Sequence, residues 1–199
     1  MANLPLPIQK IIAQLRKFPG VGAKTAERYA FQLLTWDSTS LNQLADAFRS
    51  LLQEIRSCPS CFCLTSTSSC DFCDLTKRDS SILCIVSSAK DIYPIEETRI
   101  FQGLYHVLGK TLSPLRGCHA EDIDLQKIQD RVVSLGVKDI VLALDSTIEG
   151  DATALFLKEE MAHWNVSVSR LAFGIPLGSS LDYVDPGTLT RAFLGRQQF

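Results

Sequence analysis

Five of the sixteen residues in CPSCFCLTSTSSCDFC, from Cys58 to Cys73, are cysteines. Four of them make two C-x2-C pairs, Cys58/Cys61 and Cys70/Cys73, with eight residues between the pairs. A C-x2-C turn presents two thiolates on one side of a bend, and a loop of this length lets two such turns share one tetrahedral ion. A redox dithiol is the competing chemistry, but it usually opens a helix and does not come as two facing copies. The spacing therefore predicts a structural zinc site on Cys58, Cys61, Cys70 and Cys73. Zinc binding releases on the order of 10–16 kcal/mol, enough to fold a segment with few apolar residues. Cys63 is a spare thiol with a longer reach, Cys84 sits in an apolar run that reads as core, and Cys118 carries no signal.

A second chemistry is carried by FPGVGAKTAER. Pro19, Gly20, Val21 and Gly22 form a breaker between two helical runs, and paired glycines allow both a tight turn and close approach of another backbone. The turn and the N-terminus of the following helix offer N–H groups to an anion. Lys24 and Arg28 lie four apart, on one face of that helix. Gly20, Gly22, Lys24 and Arg28 thus form a candidate grip on DNA phosphates, of the helix-hairpin-helix kind, which reads no base sequence. The bland alternative is an ordinary helical turn with a solvated basic face.

A third group is acidic. Ligands of an open parallel sheet gather at the carboxyl ends of its strands. Two such ends are legible, Ser87-Ser88 after ILCIV and Asp145 after IVLAL. A Mg²⁺-dependent phosphotransfer site needs several carboxylates converging there. Asp145, Glu149 and Asp151 are available at the second end; Asp91, Glu96 and Glu97 follow the first. Asp151 also reads as a helix N-cap. FGIPLG at 173–178 lacks phosphate-loop spacing and reads more simply as a turn.

The elements that must carry these groups fall into three textures. Ile8, Ile11, Ile12 and Leu15, then Ala26, Tyr29, Ala30 and Leu33, recur at helical spacing. Asp37 or Ser38 caps a third helix with Leu41, Leu44, Ala45, Phe48, Leu51, Leu52 and Ile55 on one face. From residue 81, short apolar runs (82–86, 104–108, 139–145, 166–172) alternate with helical patterns, one of them stopped by Gly136. That alternation predicts a parallel sheet covered on both faces. The expected fold class is multidomain: an all-α region, a metal-bound segment and an α/β domain. The metal would then act as a clamp, fixing the DNA grip relative to the α/β domain.

At 199 residues and 46% hydrophobic content the chain can bury a core, and its net charge of −2 excludes a strongly basic, histone-like binder. Charge is segregated: residues 1–57 carry seven Lys/Arg against four Asp/Glu, and residues 80–199 eleven against fifteen. The start MANLPLPIQK lacks the basic and apolar regions of a signal peptide, and no apolar run approaches the ~18 residues of a membrane span. A cytoplasmic protein without membrane contact is expected, with reduced thiols.

The succession of a PGVG-x-K-x-A-x-R hairpin, C-x2-C-x8-C-x2-C, DIYPIE, LSPL, EGDATA and GIPLG…TLTRAFLGR resembles the RecR family of bacterial recombination mediators over residues 8–196. The resemblance implies a helix-hairpin-helix region at 1–57, a four-cysteine zinc finger at 58–80, a Toprim α/β domain at 81–172 and a C-terminal association segment at 173–199. It implies no enzymatic turnover. It implies a role with RecO, and with RecF at gap junctions, in loading RecA onto single-stranded DNA coated by single-strand-binding protein. Homodimers or homotetrameric rings are implied, as is sequence-independent contact with single- and double-stranded DNA. By position, Lys24 and Arg28 take the family's DNA-contacting places, the four cysteines its zinc places, and Asp91, Glu149 and Asp151 its acidic partner-binding places. Catalytic Toprim domains carry a glutamate after the first strand and Asp-x-Asp after a later one; here Ser87 and Asp145-Ser146-Thr147 stand there. That departure weakens the runner-up reading, a Mg²⁺-dependent nuclease or strand-passing enzyme. A protein-only adaptor is the third reading.

Overall fold

The computed structural model describes residues 4–196. The expected segments 1–57 and 173–199 therefore include terminal residues, 1–3 and 197–199, that lie outside the described ones. The chain divides into two compact units, Met1–Ile55 and Arg56–Phe199.

The first unit holds α1 (Leu6–Leu15), α2 (Ala23–Leu33) and α3 (Ser38–Glu54). Helices α1 and α2 pack against each other, and the most buried residues here are Ala26 and Ala30 of α2. Two small residues four apart let helix axes approach closely. Gly20 takes a left-handed φ of +78° in the connecting turn, a conformation open to glycine at no steric cost. Asp37 caps α3, its carboxylate accepting the Ser40 N–H at 3.0 Å. The apolar stripe of α3 is only partly covered: Leu44 and Ala45 are half-buried, whereas Leu41, Phe48, Leu51, Leu52 and Ile55 are exposed.

The second unit is built on four parallel strands, β3 (Asp79–Val86), β4 (Gly103–Val107), β5 (Asp139–Ala143) and β6 (Ser167–Arg170), in the order β4-β3-β5-β6. A small antiparallel pair, β1 (Arg56–Ser57) and β2 (Leu64–Thr65), precedes them in the cysteine segment. Helices α4 (Ile92–Glu97), α5 (Leu125–Leu135), α6 (Ile148–Glu160) and α7 (Pro186–Leu194) follow the parallel strands in alternation. Gly136 ends α5 with φ +66°, the left-handed C-terminal stop that glycine provides. Alternate side chains of each strand face opposite ways. Leu83, Ile85, Leu104, Ile140 and Leu142 pack against Ile128 and Val132 of α5 and Ala154 and Leu157 of α6.

The other face carries Cys84, Val86, Tyr105, Val107 and Ala143, and its cover is unusual. Ile92 of α4 supplies part of it, but Cys58, Cys61 and Cys63, with Phe62 and Phe72 beside them, supply the rest. The cysteine segment is therefore one layer of this unit's core. Its thiols and two phenylalanines are the apolar surface that its composition lacks elsewhere.

Gly150 sits in the first turn of α6, where an added Cβ would lie 2.0 Å from the Asp145 carbonyl oxygen. That neighbour is backbone and cannot swing away. Gly150→Ala is expected to destabilise the second unit by about 3 kcal/mol, since overpacking against rigid atoms costs this order. Denaturant unfolding read against the wild type measures it, and an unchanged midpoint would contradict the close β5–α6 connection.

Candidate metal centre and nucleic-acid interface

The sulfur atoms of Cys58, Cys61, Cys70 and Cys73 all lie within 4.8 Å of one another. Two of the separations are 3.9 Å (Cys58–Cys73) and 3.6 Å (Cys61–Cys70). A tetrahedron of sulfurs with metal–sulfur bonds of about 2.3 Å has edges of about 3.8 Å, so the four thiols stand at coordination spacing. Cys63 is buried, points its thiol at the Cys61 carbonyl at 3.9 Å, and stays outside the set. The first turn is closed by Phe62 N–H donating to the Cys58 carbonyl at 2.9 Å, with Phe62 at φ +60°; the second is closed by Cys73 N–H donating to the Cys70 carbonyl at 2.9 Å.

As free thiols these groups resist ionising together. Cys61 is pushed up, first by its hydrogen bond with Cys63. Cys70 is pushed up to about 11 by burial, and Cys73 is pushed up by its hydrogen bond with Cys61 and by burial. Cys58 is the exception: burial opposes its ionisation, but backbone N–H groups of Cys61 and Ser60 aimed at its sulfur bring it down to about 7. N–H groups donating to a thiolate are what a metal-binding turn supplies. A divalent cation would hold all four sulfurs ionised.

Side chains distant in sequence seat this cluster. Arg78 makes a bidentate pair with Glu96 of α4 (2.9 and 2.6 Å), and Tyr105 donates its hydroxyl to the same carboxylate at 2.6 Å. The Arg78 guanidinium also lies over the Phe72 and Tyr105 rings and donates to the Gly103 carbonyl at 3.3 Å. Hydrogen bonding from Arg78 holds the Glu96 carboxyl below its ordinary range, so Glu96, a candidate metal carboxylate from sequence, is engaged elsewhere. His106 is buried, edge-on to Phe62. Its Nδ1 and the Ser87 hydroxyl are the two buried side-chain polar atoms without a partner among the described residues. Burial, reinforced by Arg131 and Lys127, lowers the His106 imidazole to about 4 and keeps it neutral.

The acidic residues do not converge. Among the described residues, no other group of three or more His, Cys, Asp or Glu side chains brings its ligand atoms together as the cysteines do. Asp91 accepts the Ser88 N–H at 2.7 Å and closes a capping box at the end of β3. Glu149 is half-buried in the first turn of α6. Asp151 is not the helix cap expected from sequence. Thr147 is, accepting the Gly150 N–H at 3.1 Å, because α6 begins at Ile148. Asp151 instead binds two arginines, Arg170 at 2.6 Å and Arg191 at 2.5 Å. Burial works against its charge, but these two donors outweigh it and leave the carboxyl below its ordinary range. Both guanidinium groups lie over the Phe173 ring, each 4.6 Å from its centroid.

In the first unit, Gly22 stands immediately before α2, and no side chain caps the helix. A Cβ at Gly20 or Gly22 would meet no atom within 4 Å. The small size of Gly22 is thus not needed for internal packing. Lys24 and Arg28 are both exposed one turn apart on α2, Arg28 lying 5.6 Å from the Tyr29 ring centroid. No described helix is long and apolar enough to cross a membrane.

Metal uptake by this cluster must release protons, because three of its thiols are held protonated at neutral pH. Between three and four protons, as a rough count, are expected per divalent ion bound near pH 7. An indicator dye in weak buffer reads this directly, and fewer than two would contradict four-thiolate ligation. Affinity accordingly falls as pH falls.

Three family models match separate stretches of the chain: RecR helix-hairpin-helix at residues 8–52, the Toprim domain at 81–172 and RecR C-terminal at 174–197. The recombination protein RecR of Protochlamydia amoebophila is 50% identical over 195 residues, covering 98% of both chains. That of Chlamydia abortus is 51% identical and that of Chlamydia trachomatis serovar D 45% identical, each over the full length of both chains. A helical hairpin, a four-cysteine metal-binding cluster and a Toprim parallel sheet follow one another in a chain about half identical to these proteins from end to end, and the chain belongs to the RecR family.

Proposed function

We propose that this protein is a non-enzymatic recombination mediator in DNA repair. It holds DNA through the hairpin of residues 1–57 and partner proteins through the acidic rim of the Toprim domain. The observation that carries the reading is the hairpin end of α2: an uncapped helix N-terminus preceded by a glycine with open space around it, with Lys24 and Arg28 exposed one turn apart. Such an end accepts phosphate oxygens on backbone N–H groups and adds charge, without reading bases. Single- and double-stranded DNA are then both substrates for binding. RecO and RecF are the partners, Asp91, Glu149 and Asp151 mark the docking rim, and the outcome is RecA loaded on DNA coated by single-strand-binding protein. The ion on the four cysteines is zinc, the usual occupant of a closed set of four thiolates in a structural role.

Catalysis by a Mg²⁺ site is disfavoured by the carboxylates themselves. Asp151 is already neutralised by Arg170 and Arg191, and the residue that follows β3 is Ser87 rather than a carboxylate. Self-association is supported by uncovered apolar surface on α3 (Phe48 60% exposed, Leu52 88%) and along the C-terminal segment (Leu177, Leu181, Tyr183, Phe193). A homodimer or homotetrameric ring places several hairpins on one DNA, and the residues 173–199 serve as the association segment.

Lys24→Ala with Arg28→Ala is expected to abolish gel retardation of DNA while leaving the melting temperature unchanged. Gly22→Ala makes a sharper test: the fold has room for the methyl group, yet phosphate approach does not, so retardation should fall several-fold at constant stability. Retention should weaken steeply as salt rises. Mg²⁺-dependent nicking of supercoiled DNA, lost in Asp145→Ala, would overturn the non-enzymatic reading. For the docking rim, Glu149→Arg should weaken RecO co-elution and spare DNA retardation; loss of both, or of neither, would contradict the division of labour.

A further inference from the structure

Arg131 is a buried cation without an ordinary counter-ion. It projects from α5 with 8% of its surface exposed, and among the described residues it makes no ion pair with a carboxylate. Its two partners are the Tyr105 carbonyl, which accepts from Nη1, and Cys73 Sγ, 3.5 Å from Nη2. A guanidinium does not shed its proton, and a buried charge left with neutral dipoles is costly. That cost is removed when Cys73 is a thiolate. Four thiolates around one divalent ion carry a net charge of −2, so the cluster is the anion that this arginine lacks. One turn earlier on the same face of α5, Lys127 places its ammonium 4.0 Å from the ring centroid of Phe62, within the first cysteine turn. Two cations at i and i+4 thus meet the two turns of the centre, one each.

We propose that Arg131 is the positioning residue and counter-charge of the four-cysteine centre: it donates to the Cys73 thiolate while anchored on the Tyr105 carbonyl of β4, and so ties the bound metal to helix α5 and the sheet. This rests on the reading of the cysteines as a metal centre. A hydrogen bond and a full charge aimed at one thiolate slow its departure from the metal, because a protonated or dissociating sulfur would leave the guanidinium unpaired. Removal of such an outer partner typically lowers metal affinity about 10–100-fold.

The test uses the full chain loaded with Co²⁺ or zinc, comparing wild type with Arg131→Met and Arg131→Lys. Methionine keeps the stem and removes the charge; lysine keeps the charge, but its single ammonium cannot span both partners as the fork does. Metal transfer to an excess of chelator is expected to run about tenfold faster in R131M, with R131K between it and wild type. The sulfur-to-cobalt charge-transfer bands should shift in R131M, as one thiolate loses its donor. Wild-type release rates and cobalt spectra in both variants would overturn the proposal, even with a lowered melting temperature, and would leave Arg131 as a strut for the sheet edge alone. If R131M does not fold, R131K carries the release readout, and a wild-type release rate in it overturns the proposal. Failure of the wild type to take up Co²⁺ would instead sink the metal-centre reading, a result distinguishable from metal bound with equal tenacity by all three chains.

Discussion

The second unit depends on how one strand edge is closed. β4 lies at the end of the sheet, yet all five of its residues are buried. A buried edge must find partners for its outward backbone groups or bear the cost of desolvating them. The partners here are not another strand. Val107 N–H donates to the Cys61 carbonyl at 2.9 Å, the Gly103 carbonyl accepts from Arg78, and the Tyr105 carbonyl accepts from Arg131. At three alternate positions along β4, one outward backbone group is thus taken up by the cysteine segment or by the residues that hold it. The metal-binding cluster and the sheet edge are one construction, and neither is complete without the other.

This changes what the metal would do for the molecule. The sequence expectation is a clamp between a DNA grip and a docking domain. The packing shows the cluster lying on the same sheet face as α4, in the place a helix takes in a doubly covered sheet. A layer made of thiols and two phenylalanines can be thinner than a helix, and Cys84, Val86 and Ala143 beneath it are small. With a metal bound, the layer's rigidity would come from ligand bonds and from the Arg78–Glu96–Tyr105 cluster rather than from helical hydrogen bonds. At the carboxyl ends of β3 and β5 the acidic group is organised differently. Asp151 is occupied by Arg170 and Arg191, and both guanidinium groups lie over the Phe173 ring. Its role in the isolated chain is to fasten α6 to β6 and α7.

What is legible in the sequence follows from the range of the interactions involved. The cysteine spacing, the glycine turn before α2, the Gly136 stop and the alternation of apolar runs with helices are all written within a few residues of where they act. The strand alternation suffices for a parallel sheet, since Leu83/Ile85 and Cys84/Val86 announce two buried faces. Arg78–Glu96, Arg131–Cys73 and Asp151–Arg191 span eighteen, fifty-eight and forty residues, and no local pattern carries them. One signal does exist for Arg131: a charged residue on the apolar i, i+4 face of a helix, between Ile128 and Val132, must have a buried partner. The cap expected at Asp151 fails for a local reason. Thr147 stands four residues earlier and α6 begins at Ile148, so Asp151 falls inside the first turn, where a carboxylate favours the helix dipole without capping it.

The hairpin and the apolar stripe of α3 belong to one question of strength. A single α2 N-terminus with two cations can make only a few phosphate contacts, and each such contact loses most of its value as salt rises. On the proposed reading, a chain held to DNA by so small a grip would gain from repeating it. Repetition needs self-association, and α3 presents Leu41, Phe48, Leu51, Leu52 and Ile55 to solvent in a unit whose α1–α2 contact centres on two alanines. Covering that stripe with a second copy would stabilise the helical unit and bring another hairpin to the same duplex. The gain would take the form of effective concentration rather than new contacts. Weak elementary binding combined with multiplicity would suit the proposed role, in which DNA is held only until another protein takes it.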